Sequence, residues 1–151
     1  MLGWSFFPMK LPFGRSRSPD DGEPASRRTG CEGELLAEQH LVRVKGFRVL
    51  ARNWRDGREE IDLVASHDGV LVFVEVKTRS SEGLVPGYYA AVERRKKDAL
   101  RKAIRTYLRR VRDKPISFRF DVVEVNLEAP PGRRIFHFEN IPLFRKSFRA
   151  R

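Results

Sequence analysis

Residues 60–78 read EIDLVASHDGVLVFVEVKT, and the fold turns on them. Two runs of alternating or continuous apolar residues, 60–66 and 70–78, flank Asp68-Gly69, the strongest short-range signal for a two-residue β-hairpin. With that loop, cross-strand partners have numbers summing to 137, so Asp62 is expected opposite Glu75 and Glu60 opposite Lys77. The common parity sends all four side chains to one face. The second run is apolar on both faces: Val70, Val72, Val74 and Val76 on one, Leu71 and Phe73 on the other. That is the pattern of a central strand covered on both sides, and Glu75 and Lys77 fall where it nears its end. Two carboxylates ~4–5 Å apart repel by ~4 kcal/mol at an effective dielectric of about 20. A divalent cation with oxygen ligands is the most economical reason for keeping Asp62 and Glu75 face to face. A solvated Glu-x-Lys charge pair on an exposed strand is the plainer reading of 75–77. The opposed Asp62 and the apolar flanks speak against it.

The flanking segments supply the other elements. Residues 31–45 read as a helix closed by Gly46, with Ala37, Leu41 and Val44 on its core face and Glu34 on the same stripe. Residues 47–54 read as a strand. Residues 89–112 form the clearest helix, with Val92, Ala99, Leu100, Ala103, Tyr107, Leu108 and Val111 as its apolar stripe. Lys96 interrupts that stripe near the helix start, which suggests that its amine reaches toward the pocket of the paired acids. Residues 116–125 form a strand carrying Asp121, and residues 134–139 a last strand. The order helix, three strands, helix, strand predicts an α/β protein with a mixed sheet flanked by helices.

Charge is distributed unevenly along the 151 residues. The net charge is +11, yet residues 31–90 carry eight basic and ten acidic side chains, while residues 91–112 carry ten basic and two acidic. Arg94, Lys97, Arg101, Arg105, Arg109 and Arg112 line one face of the second helix, a row suited to phosphates. A polyanionic partner follows, nucleic acid before an anionic membrane surface. No run is apolar enough to span a membrane. One cysteine, Cys31, excludes a disulfide framework, and His40, His67 and His137 lack the spacing of metal ligands. The N-terminal aromatics are broken by Pro8, Lys10 and Pro12, unlike a secretory signal, so a cytoplasmic location is expected. Residues 1–29 read as a flexible extension, 30–144 as the folded domain and 145–151 as a basic tail.

Gly33-Glu34 with Ala37 and Leu41, Leu50-Ala51-Arg52-Asn53-Trp54-Arg55, Glu60-Ile61-Asp62-Leu63, Val72-Phe73-Val74-Glu75-Val76-Lys77-Thr78-Arg79, Lys96 with Ala103 and Leu108, and Arg119-Phe120-Asp121-Val122-Val123 together resemble the YraN family. These are uncharacterised bacterial proteins with a restriction-endonuclease-like, PD-(D/E)xK-type fold, and the resemblance spans roughly residues 29–144. Glu59 stands where members usually have Gly, and the extension is additional. The resemblance implies an α-β-β-β-α-β core and phosphodiester hydrolysis dependent on Mg²⁺ or Mn²⁺. It implies Asp62 and Glu75 as metal ligands, Glu34 completing the shell directly or through water, and Lys77 as the catalytic lysine. Arg55, Arg79, Arg94, Lys96, Lys97, Arg101 and Arg105 are the residues expected to hold nucleic acid, DNA foremost, without reading bases. A homodimer is compatible with such a nuclease. Two other readings are a non-catalytic nucleic-acid-binding protein of the same fold and an adaptor domain.

Overall fold

The computed structural model describes residues 25–79 and 94–144. Helix α1 (Ala25–Arg43) leads into strands β1 (Arg48–Asp56), β2 (Glu59–His67) and β3 (Val70–Arg79). Helix α2 (Arg94–Arg110), strand β4 (Phe118–Asn126), a single 3₁₀ turn (Pro131–Arg133) and strand β5 (Ile135–Phe138) follow. The five strands form one mixed sheet in the order β1-β2-β3-β4-β5, antiparallel throughout except that β4 runs parallel to β3. The α-β-β-β-α-β order is therefore the one expected.

Asp68 and Gly69 both take positive φ, 49° and 78°, the backbone that a two-residue hairpin matching the strand twist requires. Pairs from Leu63↔Val74 to His67↔Val70 keep the predicted register. The central strand β3 then packs on both faces. Leu71 and Phe73, with Ile61, Val64, Phe120 and Val122, meet Leu100, Ala103, Ile104 and Leu108 of α2. Val72, Val74 and Val76, with Leu63, Ala65, Val123 and Val125, meet Ala37 and Leu41 of α1. Helix α1 is tied to β1 by a two-pronged Arg52–Glu38 pair, and it ends through Gly46 at φ 75° with Phe47 N–H donating to Leu41 O at 2.9 Å.

Several boundaries differ from expectation. Helix α1 begins at Ala25, so residues 25–29 are helical rather than extension, while residues 1–24 and 145–151 lie outside the described residues. Val44 is 69% exposed because the helix stops at Arg43 and Val44 falls in the closing turn. Ile116, 96% exposed, precedes the strand, which starts at Phe118. Helix α2 is described from Arg94 onward, and the expected helical residues 89–93, Val92 among them, lie outside the described residues. The hairpin ladder also stops three pairs short, without the expected Asp62↔Glu75 and Glu60↔Lys77: beyond Leu63 the β2 strand stays with β1, pairing Ile61 with Trp54 and Glu60 with Arg55. Glu60 is thus not the partner of Lys77, whose neighbour is Glu124 across the parallel ladder.

Candidate functional site

The ladder stops at Asp62 because the acid itself occupies the partner's place. Asp62 Oδ2 accepts the Val76 N–H at 2.7 Å. The carboxyl is thereby drawn into the gap that opens between β2 and β3. Glu75, next to it, ends the apolar layer of β3 on the α2 side and is 1% exposed. Lys77 Nζ donates to Glu75 Oε1 at 2.6 Å, and Lys96 Nζ, from the first turn of α2, lies 3.1 Å from the same oxygen. Lys96 therefore reaches the pocket that its place in the stripe suggested. Glu75 Oε2 is buried and has no hydrogen-bond partner among the described residues. An orphaned carboxylate oxygen of this kind costs about 1–3 kcal/mol unless water or a cation meets it.

The electrostatics follow from this crowding. Burial, reinforced by the charge of Glu75, pushes the Asp62 carboxyl up to about 7, although the Val76 N–H and Lys96 oppose the rise. Glu34 is also raised, by burial first and then by Glu60 and Glu75, while a hydrogen bond from Asn53 works the other way. Lys96 loses charge stability through burial but regains more from Glu75 and Asp62, so its ammonium is held above the usual lysine range. Two local features bring Glu34 here. Asn53 adopts φ 46°, a left-handed turn inside β1, and Gly33 lets α1 touch β3. A Cβ at Gly33 would stand 1.8 Å from Thr78 Oγ1 and 2.7 Å from Thr78 Cβ. Only glycine allows that approach.

Among the described residues no three acidic, histidine or cysteine side chains converge tightly enough to hold a metal ion by themselves. Asp62, Glu75 and Glu34 therefore do not form a direct three-carboxylate site among the described residues. The donor set fits Mg²⁺ or Mn²⁺ on one observation, the partnerless buried Oε2 of Glu75 beside Asp62. A hard cation of this type keeps several waters and needs only one or two carboxylates plus phosphate oxygens.

The expected anion-binding residues divide into three groups. Lys96 reaches the acidic centre. Arg94 is exposed at the start of α2, Lys97 follows it half-buried, Arg79 ends β3, and Arg55 projects from β1, paired with Glu60 at 2.9 Å. Arg101 and Arg105 also make contacts within the fold. Arg101 Nε donates to Leu143 O at 2.7 Å, and the Arg105 guanidinium lies 5.6 Å over the Phe144 ring. Glu59, where family members usually have Gly, is taken up by Lys102 at 2.9 Å. That pairing directs its charge to α2 rather than to the acidic centre.

Sequence reading missed Glu124. It is 1% exposed, its Oε2 lacks a hydrogen-bond partner among the described residues, and burial pushes its carboxyl up against the pull of Arg79. The available signal was an acid inside the apolar run Val122-Val123-Glu124-Val125, which becomes meaningful once the parallel register is known. Asp121 faces the other layer and is wholly buried. It accepts from Arg119 and Asn140 N–H and lies 2.9 Å from His137 Nε2, so it joins β4 to β5.

The protein is thus an α/β protein of one mixed sheet, with a buried glutamate, a half-buried aspartate and two partly exposed lysines where β2 and β3 part. It belongs to the uncharacterised protein family UPF0102, the YraN family, whose model matches residues 33–125. A UPF0102 protein of Chlorobaculum tepidum is 44% identical over 111 residues, 73% of this chain and 84% of the relative. One from Symbiobacterium thermophilum is 46% identical over 109 residues, 72% of this chain and 89% of its own. Among solved structures, Pyrococcus furiosus SfsA in complex with Ca²⁺ aligns with 76% of this chain and 63% of its own. Its identity is 13% and its TM-score 0.31, too slight a likeness to bear on function. Among the described residues, no helix is long and apolar enough to cross a membrane.

Proposed function

We propose that this protein is a divalent-cation-dependent endonuclease that hydrolyses phosphodiester bonds, in DNA foremost, by structure rather than sequence. The observation that carries the reading is Glu75: a buried carboxylate with one oxygen under two ammonium groups and the other partnerless, beside Asp62. Asp62 and Glu75 would hold Mg²⁺ or Mn²⁺, which when bound polarises a phosphoryl oxygen and lowers the pKa of bound water. The chain's own residues supply the rest. Lys77 and Lys96 present positive charge beside the acids, where a phosphate entering the pocket gains negative charge in the transition state. Glu34 orients water from the α1 side, its carboxyl steadied by Asn53. Arg94, Lys97, Arg55 and Arg79 bind the sugar–phosphate backbone, which fixes position without reading bases.

One observation favours a second reading. Two ammonium groups already neutralise Glu75, as they would in a binding module that never takes a metal. Titration calorimetry with Mg²⁺ and Mn²⁺ on wild type and Asp62→Ala, followed by incubation with linear, single-stranded and branched DNA, separates the two. The nuclease reading expects metal binding that the variant loses, together with metal-dependent cleavage. Salt-sensitive DNA binding without metal uptake would replace it with the binding module.

A further inference from the structure

Lys77 stands between two buried acids. On its own strand Glu75 lies two residues back, and in the parallel ladder Lys77 is directly opposite Glu124. Residues 71, 73, 75 and 77 of β3 share the sheet face of residues 120, 122 and 124 of β4, as the packing of Leu71, Phe73, Phe120 and Val122 shows. Each acid leaves its Oε2 buried and without a hydrogen-bond partner among the described residues. Arg79, also on this face, contributes favourable charge to Glu124 but does not close that gap. In the present arrangement the Lys77 ammonium is on Glu75 at 2.6 Å, sharing Oε1 with Lys96.

Those two ammonium groups and a metal ion compete for one carboxylate. Lys96 has an exposed route away, since 42% of its side chain is in solvent. Lys77 is more enclosed, and the acid across the ladder is Glu124. We propose that Glu124 is the second seat of the Lys77 ammonium, receiving it when a divalent cation engages Glu75 and so fixing where the amine stands in the loaded site. Glu124 is then a positioning residue that acts through Lys77. This inference rests on the cation-dependent reading above.

The test is a double-mutant cycle read as Mn²⁺ affinity, with no substrate present. Glu124→Gln strands the ammonium on Glu75 and weakens Mn²⁺ binding by about tenfold, the usual loss when a partner behind a metal ligand is removed. In a Lys77→Met background there is no ammonium to relocate, and the same Glu124→Gln change leaves affinity within about twofold. If Glu124→Gln does not fold, Glu124→Asp carries the cycle: it keeps the charge, shortens the reach, and gives a smaller weakening that also vanishes with Lys77→Met. Equal weakening in both backgrounds would make Glu124 a direct ligand and overturn the proposal. Unchanged affinity in the Lys77 background would overturn it as well. Wild-type protein that takes up no Mn²⁺ overturns the underlying cation reading, a result distinct from either.

Discussion

Asp62→Asn should make the metal-free protein more stable. The substitution keeps the shape and an oxygen that can accept the Val76 N–H, while removing a charge that the fold opposes. Burial and Glu75 move the Asp62 carboxyl from 3.8 to about 7. At 1.36 kcal/mol per pH unit, holding it ionised costs on the order of 4 kcal/mol, and water reaching this partly buried group reduces that to about 2–3 kcal/mol. Because the folded-state value lies above the unfolded one, the penalty is absent below about pH 4. It grows between about pH 4 and 7 and is constant above that. Thermal unfolding with chelator at pH 8 should show Asp62→Asn melting about 5–10 °C above wild type, and the gap should close by pH 4. Mn²⁺ should reverse the order at pH 8 by stabilising wild type alone. A variant that melts lower than wild type at pH 8 without metal would refute the reasoning, since Asp62 would then be a structural acid.

Four further substitutions have expected outcomes. Gly33→Ala places a methyl inside the Thr78 side chain and should cost about 1–3 kcal/mol by denaturant unfolding; because it lifts α1 off β3, it should weaken Mn²⁺ binding as Glu34 withdraws. Asp121→Ala should cost about 3–5 kcal/mol, measured by urea unfolding, since it leaves Arg119 and His137 without their buried partner. Burial works against the Asp121 charge, but hydrogen bonds from His137, Arg119 and Asn140 hold its carboxyl below the usual range. Its stabilisation is therefore full above about pH 4 and disappears as pH falls through that lowered value, so the variant's deficit should shrink in acid. Arg101→Ala should lower the melting temperature without changing the salt dependence of DNA binding, whereas Arg94→Ala should reduce the slope of log affinity against log salt by about one and leave stability alone.

The hairpin was legible because Asp68-Gly69 fixes a two-residue loop, and the loop fixes a register that the alternating side chains confirm from Leu63 to Val70. Where the rule failed, at Asp62, the side chain had replaced a backbone partner, which no alternation pattern can encode. The pairing of Glu75 with Lys77 was readable because i and i+2 share a strand face, and the reach of Lys96 because it broke an apolar stripe. Glu124 was not readable, since its relation to Lys77 exists only through a parallel pairing between segments joined by a long crossover. Helical spacing placed Arg101 and Arg105 on one basic face but could not show what else touches that face. Leu143 and Phe144 return to cover that part of α2.

Glu75 is the residue on which the nuclease reading turns. Cleavage of end-labelled single-stranded, duplex and branched DNA should be followed in Mn²⁺ for wild type and Glu75→Gln, with binding measured in parallel. Wild type should cleave at least one of these substrates in a metal-dependent manner. In the variant, cleavage should fall by about two to three orders of magnitude with DNA affinity retained, because the cation that would stabilise the transition-state charge loses one of its two carboxylates. Equal cleavage by both proteins, or no cleavage by a wild type that binds both Mn²⁺ and DNA, would contradict that reading.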